Sequence, residues 1–235
     1  VDEKKAVIEH IGELRSGLIR VFIVWGILSV LGFLLAPRII GFISTSLAPG
    51  EFGVRLVVSH PMDFLMAEIS IAILFGFVLS LPAIIYQAYA FTRPAFRRSE
   101  RRLFAYAAVS GLLLFVLGML FGYFVILKFT VWFLAGLSQP AGVLNLWNLN
   151  LFVSFAFLLV TAMGLVFILP VVTVALVRAG ITDTGFLREN RPYAIIGIFI
   201  LAAVISPPDP FSQVIVAVPV IVLYEMSIIV ARLLR

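Results

Sequence analysis

Cysteine is absent from the 235 residues, so neither a disulfide nor a thiolate metal site is available, and the redox compartment stays undecided. Histidine occurs only as His10 and His60, too far apart in the chain to read as a metal pair. Charge is scarce, at 12% of residues against 63% hydrophobic, which excludes an ordinary soluble domain. A Gly-rich phosphate loop, a nucleophile motif around serine and paired aspartates in the apolar runs are all missing. Their absence argues against an enzyme and leaves no evident metal or cofactor. No internal repeat appears, which withholds support from the repeated halves common in secondary transporters. Segments of alternating apolar and polar residues are lacking too, so a barrel is excluded. No apolar run of signal-peptide length precedes Val21, and a cleaved leader is not expected.

What is present is a series of uncharged apolar runs. Val21 to Pro37, Ile69 to Thr92, Leu103 to Leu127 and Leu151 to Val177 are long enough, or nearly so, for the roughly 20 helical residues that cross a hydrocarbon core. Two shorter candidates follow Arg191, split by the turn signal Pro207-Pro208-Asp209-Pro210. The expected fold is an all-α membrane protein, a bundle of six transmembrane helices in one domain over 1–235. The spans fall near 17–37, 64–92, 101–128, 150–177, 193–206 and 210–231, the last two short. The wholly apolar core of the fifth, Ala194 to Ile205, reaches only about 18 Å. Such a mismatch favours association with a neighbour.

Basic residues set the orientation. Of the 17 Lys and Arg, all but Arg38, Arg55 and Lys128 fall before the first span, in the second-to-third and fourth-to-fifth connections or at the carboxyl end. Both termini are therefore expected in the cytoplasm. The net charge of +5 reads as topology and contact with anionic lipid, not nucleic-acid binding. Two longer outer connections, Pro37 to Met62 and Ala135 to Asn150, are expected to form a cap.

Few polar groups stand out against this background. Asp63 suits a helix amino terminus, and Asn150 is the expected cap of the fourth span. Asp209 and Pro210 likewise suit the start of the sixth helix. Pro82, Pro170 and Pro219 lie inside spans, where each ring removes a backbone donor and bends the helix. Glu68 and Glu225 read as structural, at the two ends of their spans. Glu9, His10 and Glu13 share one face of a helix leading into the first span. Glu100 lies among five arginines in RPAFRRSERRL, where an ion pair with Arg97 or Arg101 is the plain reading.

IEHIGELRSGL (8–18), LPAIIYQAYAFTRPAF (81–96), SERRL (99–103), Pro170, ENRPY (189–193) and SPPDPFSQ (206–213) together resemble the TatC family of twin-arginine translocase subunits. The resemblance runs from residue 8 to the carboxyl end. It implies a receptor in the cytoplasmic membrane of a prokaryote that binds signal peptides with two consecutive arginines. It also implies assembly with single-span TatA/TatB-like subunits into a path for folded proteins, and leaves open whether the chain acts as a monomer or as a homo-oligomer.

Carried over by motif, the resemblance places the signal-peptide carboxylates at Glu13 and Glu100, supported by His10, Leu14, Arg15, Arg101 and Arg102. Two carboxylates in fixed geometry suit the planar fork of arginine, which lysine does not copy. Glu100 is then expected to face Glu13 while the arginines meet lipid headgroups. Gln213, with Ser206 and Val204, is the implied contact for a partner's transmembrane helix, next to the turn Pro207-Pro208-Asp209. Ile168 departs from the family, since many relatives have a glutamate there. A small secondary transporter or channel is the alternative. It requires convergent polar groups at mid-membrane, and the spans offer few besides Ser80, Ser110, Ser154 and Thr161.

Overall fold

The computed structural model describes residues 2–47, 54–92, 98–138, 144–178, 180–206 and 209–233. Within these, the side chains of 2–11, 13, 47, 88, 89, 92 and 98–104 are not described. Among the described residues, five helical stretches are long and apolar enough to cross a membrane: Leu14–Ser46, Asp63–Gln87, Ala105–Ser138, Leu149–Arg178 and Pro210–Leu233. A sixth apolar helix, Arg191–Ile205, is shorter.

The first helix, α1 (Asp2–Leu47), has 46 residues and contains Pro37. Pro37 was expected at the end of a span, but the helix continues beyond it for almost three turns. The 18-residue step from Arg20 to Arg38 covers about 27 Å, close to one hydrocarbon thickness. Helix α2 (Asp63–Thr92) returns antiparallel to α1. In lipid, where no hydrophobic force drives helices together, close van der Waals approach must do it. Gly76 supplies that approach, since a Cβ there would stand 2.7 Å from the backbone nitrogen of Ser29. The Trp25 indole adds a hydrogen bond of 3.0 Å to the Ile73 carbonyl. Ala36, Ile40, Ala67 and Ile71 fill the seam, with Val153 from a later helix.

Helix α3 (Arg98–Phe121) runs without a gap into a π-helical segment, Gly122–Leu127, and then α4 (Lys128–Ser138). The π turn admits an extra residue per turn and widens the helix there. The fourth long apolar stretch is made of α5 (Leu149–Phe167) and α6 (Leu169–Arg178). It is broken at Ile168 because Pro170 has no N–H, and Val171 and Val172 both donate to the Ile168 carbonyl. Pro82 and Pro219, by contrast, lie inside continuous helices. Helices α3 and α5 meet as closely as α1 and α2, for a Cβ at Gly118 would reach 2.6 Å from the Met163 carbonyl.

A one-and-a-half-turn helix, α7 (Thr184–Glu189), precedes α8 (Arg191–Ile205) and α9 (Pro210–Leu233). At 15 residues α8 spans about 22 Å and is short, as its sequence indicates. The expectation that the last helix is also short is corrected, because α9 has 24 residues and reaches about 36 Å. The main core joins the π segment, α4, α5, α8 and α9 through Leu127, Val131, Leu159, Met163, Ala202 and Val216.

Two strands qualify the all-α expectation. β1 (Val54–Val57) pairs in parallel with β2 (Asn145–Asn148), in the register Val54 to Asn145 through Val57 to Asn148. β1 precedes α2 and β2 precedes α5, so these two helices leave the same end of the bundle in the same direction. Ser154 Oγ donates to Ser70 Oγ at 3.0 Å further along the two helices, which keeps them in step.

Candidate functional site

The end of the bundle opposite the strands carries the predicted receptor residues. A Cβ at Gly17 would meet the Gln87 side chain, which places the start of α1 beside the last turns of α2. Glu13 is one helical turn before Gly17, and Glu100 is on the first turn of α3, which follows α2. The backbone thus delivers both positions to one end. The side chains of His10, Glu13, Glu100, Arg101 and Arg102 lie outside the described residues, as do those of Glu9 and Arg97. Leu14 and Arg15 are described, and both are exposed on α1.

The same end is held on its far side by a clasp that sequence reading missed. Arg191 Nη2 donates to Glu225 Oε2 at 2.5 Å, joining the first residue of α8 to the carboxyl-terminal half of α9. The Tyr224 hydroxyl donates to the Leu187 carbonyl at 2.8 Å and ties in α7. Glu225 was expected to be structural, with Arg232 two turns away as its neighbour. Its partner is instead Arg191, 34 residues back, and only the fold brings those two together. Asp183 caps α7 by accepting from Phe186 N at 2.8 Å.

At the strand end, α8 and α9 present the predicted partner contact. Gln213 Nε2 donates to the Phe199 carbonyl at 3.0 Å, so this amide first of all joins α9 to α8. Val204 is 74% exposed, whereas Ser206 is 8% exposed and turned into the protein. A shallow groove of about 540 Å³ runs along α8, lined by Ile195, Phe199, Ile200, Val204 and Gln213. Asp209 Oδ1 accepts from Ser212 N at 2.7 Å and Pro210 opens α9, the capping arrangement its sequence suggests. Pro207 and Pro208 lie outside the described residues.

Between the strands and the membrane helices, Asp63 is more than a charge at a helix end. Its Oδ2 accepts from Ser59 N at 2.9 Å, His60 N at 2.7 Å and Asn148 Nδ2 at 2.7 Å. Asn148 in turn accepts from Leu151 N at 3.0 Å and is the cap of α5. The cap expected at Asn150 is therefore corrected by two positions. NLWNLN offers three asparagines, and only the strand pairing of Asn148 decides which one turns into the helix. Glu68, on the second turn of α2, is half-buried. Among the described residues, no three of His, Cys, Asp and Glu gather in a way that would hold a metal.

The profile of the family described as "Sec-independent protein translocase protein (TatC)" matches residues 9–219. A protein of that name from Desulforapulum autotrophicum is 32% identical over 233 residues, covering 98% of this chain and 86% of its own. Its counterpart from Escherichia coli K12 is 33% identical over 233 residues, with 99% and 90% covered. Among solved structures, one of a "Twin Arginine Translocase Receptor- TatC" superposes with a TM-score of 0.87 at 33% identity. It covers 95% of this chain and 98% of that one.

Proposed function

The chain belongs to the TatC family, and from that premise we propose that Glu13 and Glu100 receive the two arginines of a signal peptide. The protein is the receptor subunit of a twin-arginine translocase, with a role in protein transport across a membrane. It sits in the cytoplasmic membrane of a prokaryote and crosses it six times, α8 being the fifth and shortest crossing. Both termini are in the cytoplasm, together with the arginine-rich connection between α2 and α3. The concentration of Arg178, Arg188, Arg191 and Arg232 at the Glu13 end supports this orientation.

One observation carries the site assignment. Packing of Gly17 against Gln87 brings the helix bearing Glu13 beside the last turns of α2, the helix that precedes α3 and Glu100. A guanidinium pair then meets two carboxylates approached from different elements, and the spacing of the elements fixes which cation geometry fits. Val204 and Gln213, on the α8 groove, form the contact for a single-span partner helix, away from the receptor end.

Photocrosslinking from position 14, beside Glu13, tests the receptor assignment. A twin-arginine signal peptide is expected to crosslink and its twin-lysine version to lose most of the yield. Equal yields with both peptides would count decisively against it.

A further inference from the structure

A second cavity, separate from the α8 groove, lies among α1, α2, α3, the π segment and α5. Its volume is about 530 Å³ and one side is open. Hydrocarbon forms nearly all of its wall, from Ile39, Phe75, Val116, Leu120, Phe157 and neighbours. The polar exception in its depth is Thr161, 5% exposed, whose Oγ1 has no hydrogen-bond partner. One hydroxyl is too little to hold water, which needs two to four polar partners. An occupant must therefore present hydrocarbon.

Size decides which kind. The α8 groove is shallower and takes one face of a helix laid along it, whereas an occupant that reaches Thr161 has to enter this cavity, and a whole transmembrane helix about 10 Å across and 30 Å long, on the order of 2,000 Å³, does not fit inside it. A single flexible hydrocarbon chain has no such difficulty. The edge of the cavity adds a charge. Lys128 Nζ stands 5.7 Å from the ring centroid of Phe124, and that ring lines the wall. Tyr123, also in the wall, donates its hydroxyl to Ser46 Oγ at 3.2 Å and stacks on Phe42. Lys128 directly follows Leu127, and Arg38 directly precedes Ile39, both of them lining residues. Only three basic residues fall on the strand side of the spans, and two of them neighbour this cavity in sequence.

We propose that the cavity holds one acyl chain of an anionic phospholipid from the leaflet at the strand end, with the lipid phosphate on Lys128. An intramembrane cation is costly alone and is stabilised by an anionic headgroup. The π segment is what makes room, since its widened turn carries Tyr123, Phe124 and Leu127 into the wall.

Native mass spectrometry of the full chain, delipidated and then titrated, tests this. Phosphatidylglycerol is expected to be retained at one copy per chain, phosphatidylcholine more weakly, and glycerol 3-phosphate not at all. Lys128→Gln should remove about fivefold of the preference for phosphatidylglycerol over phosphatidylcholine. Leu120→Trp should release the lipid by filling the space; Leu120 is 48% exposed, so the larger ring does not disturb the core. Val116→Trp repeats that test from the next turn if the first variant fails to fold. Retention unchanged in both tryptophan variants would overturn the proposal. So would glycerol 3-phosphate binding as tightly as the intact lipid, or a headgroup preference indifferent to Lys128→Gln. Photolabelling of Phe157 and Val160 by an apolar transmembrane peptide, and not by a lipid with a diazirine in its tail, would assign the cavity to a helix and overturn it as well.

Discussion

Asn148 donates to Asp63 across 2.7 Å, and through this one bond the cap of α5 holds the first residue of α2. The two residues are 85 positions apart, yet each organises its own helix start. Asp63 gathers the turn at Ser59 and His60, and Asn148 gathers Leu151.

Asn148→Ala should therefore cost more than an ordinary cap. Loss of the cap accounts for about 1 kcal/mol. The lone pair left open on a charged carboxylate raises the total to about 2 kcal/mol. Thermal unfolding in detergent measures this, and Asn150→Ala in parallel should cost distinctly less.

Ile168→Glu introduces an acid at the break between α5 and α6, where Ile168 is half-buried and faces Gly111. The expected cost is on the order of 2 to 3 kcal/mol, with no gain in export. Improved export would show that the family's buried acid still has a role in this scaffold.

Glu13→Gln and Glu100→Gln should each weaken signal-peptide binding by on the order of tenfold, the loss of a charge-assisted bond. The double variant should bind little worse than either single one, because the two carboxylates act as a unit. Binding isotherms at low and high salt check both points. Intact binding in each single variant would remove the assignment.

Gln213→Leu breaks the bond to the Phe199 carbonyl, a loss of about 0.6 kcal/mol in lipid. Disulfide crosslinking from Val204→Cys to a partner helix is expected to fall, with signal-peptide binding unchanged. The parent chain has no cysteine to confuse the readout. Efficient crosslinks at α1 and none at α8 would exclude the α8 groove as the docking face.

The long helices were legible because hydropathy integrates over about 20 residues and no local feature competes with it. Ends were less legible. Pro37 reads as a stop, but α1 is braced by α2 through Gly32, where a Cβ would approach Ala72 at 3.1 Å, and the helix passes through the proline. The strands were missed because a four-residue run such as VRLV is ambiguous until its partner is known. The Arg191 and Glu225 pair was missed for the same reason. Its two charges, 34 residues apart, mean nothing until α8 and α9 lie side by side. Of the receptor pair, the residue types were legible through motif alone. What the fold adds is the reason the two elements arrive at one end.

The shared direction of α2 and α5 also sets a calendar for synthesis. Strand β1 emerges early but has no partner until β2 follows, and Asp63 waits for Asn148 through the 85 positions between them. At 5 to 20 residues per second that interval is roughly 4 to 17 seconds. The α1–α2 pair, whose close contacts are local in the chain, has no such wait and forms a finished hairpin first. Closure of the ladder is thus the event that records completion of two further long helical stretches, α2 and the run from α3 to α4. A ribosome stalled before residue 145 leaves behind a folded hairpin whose strand ladder is still open.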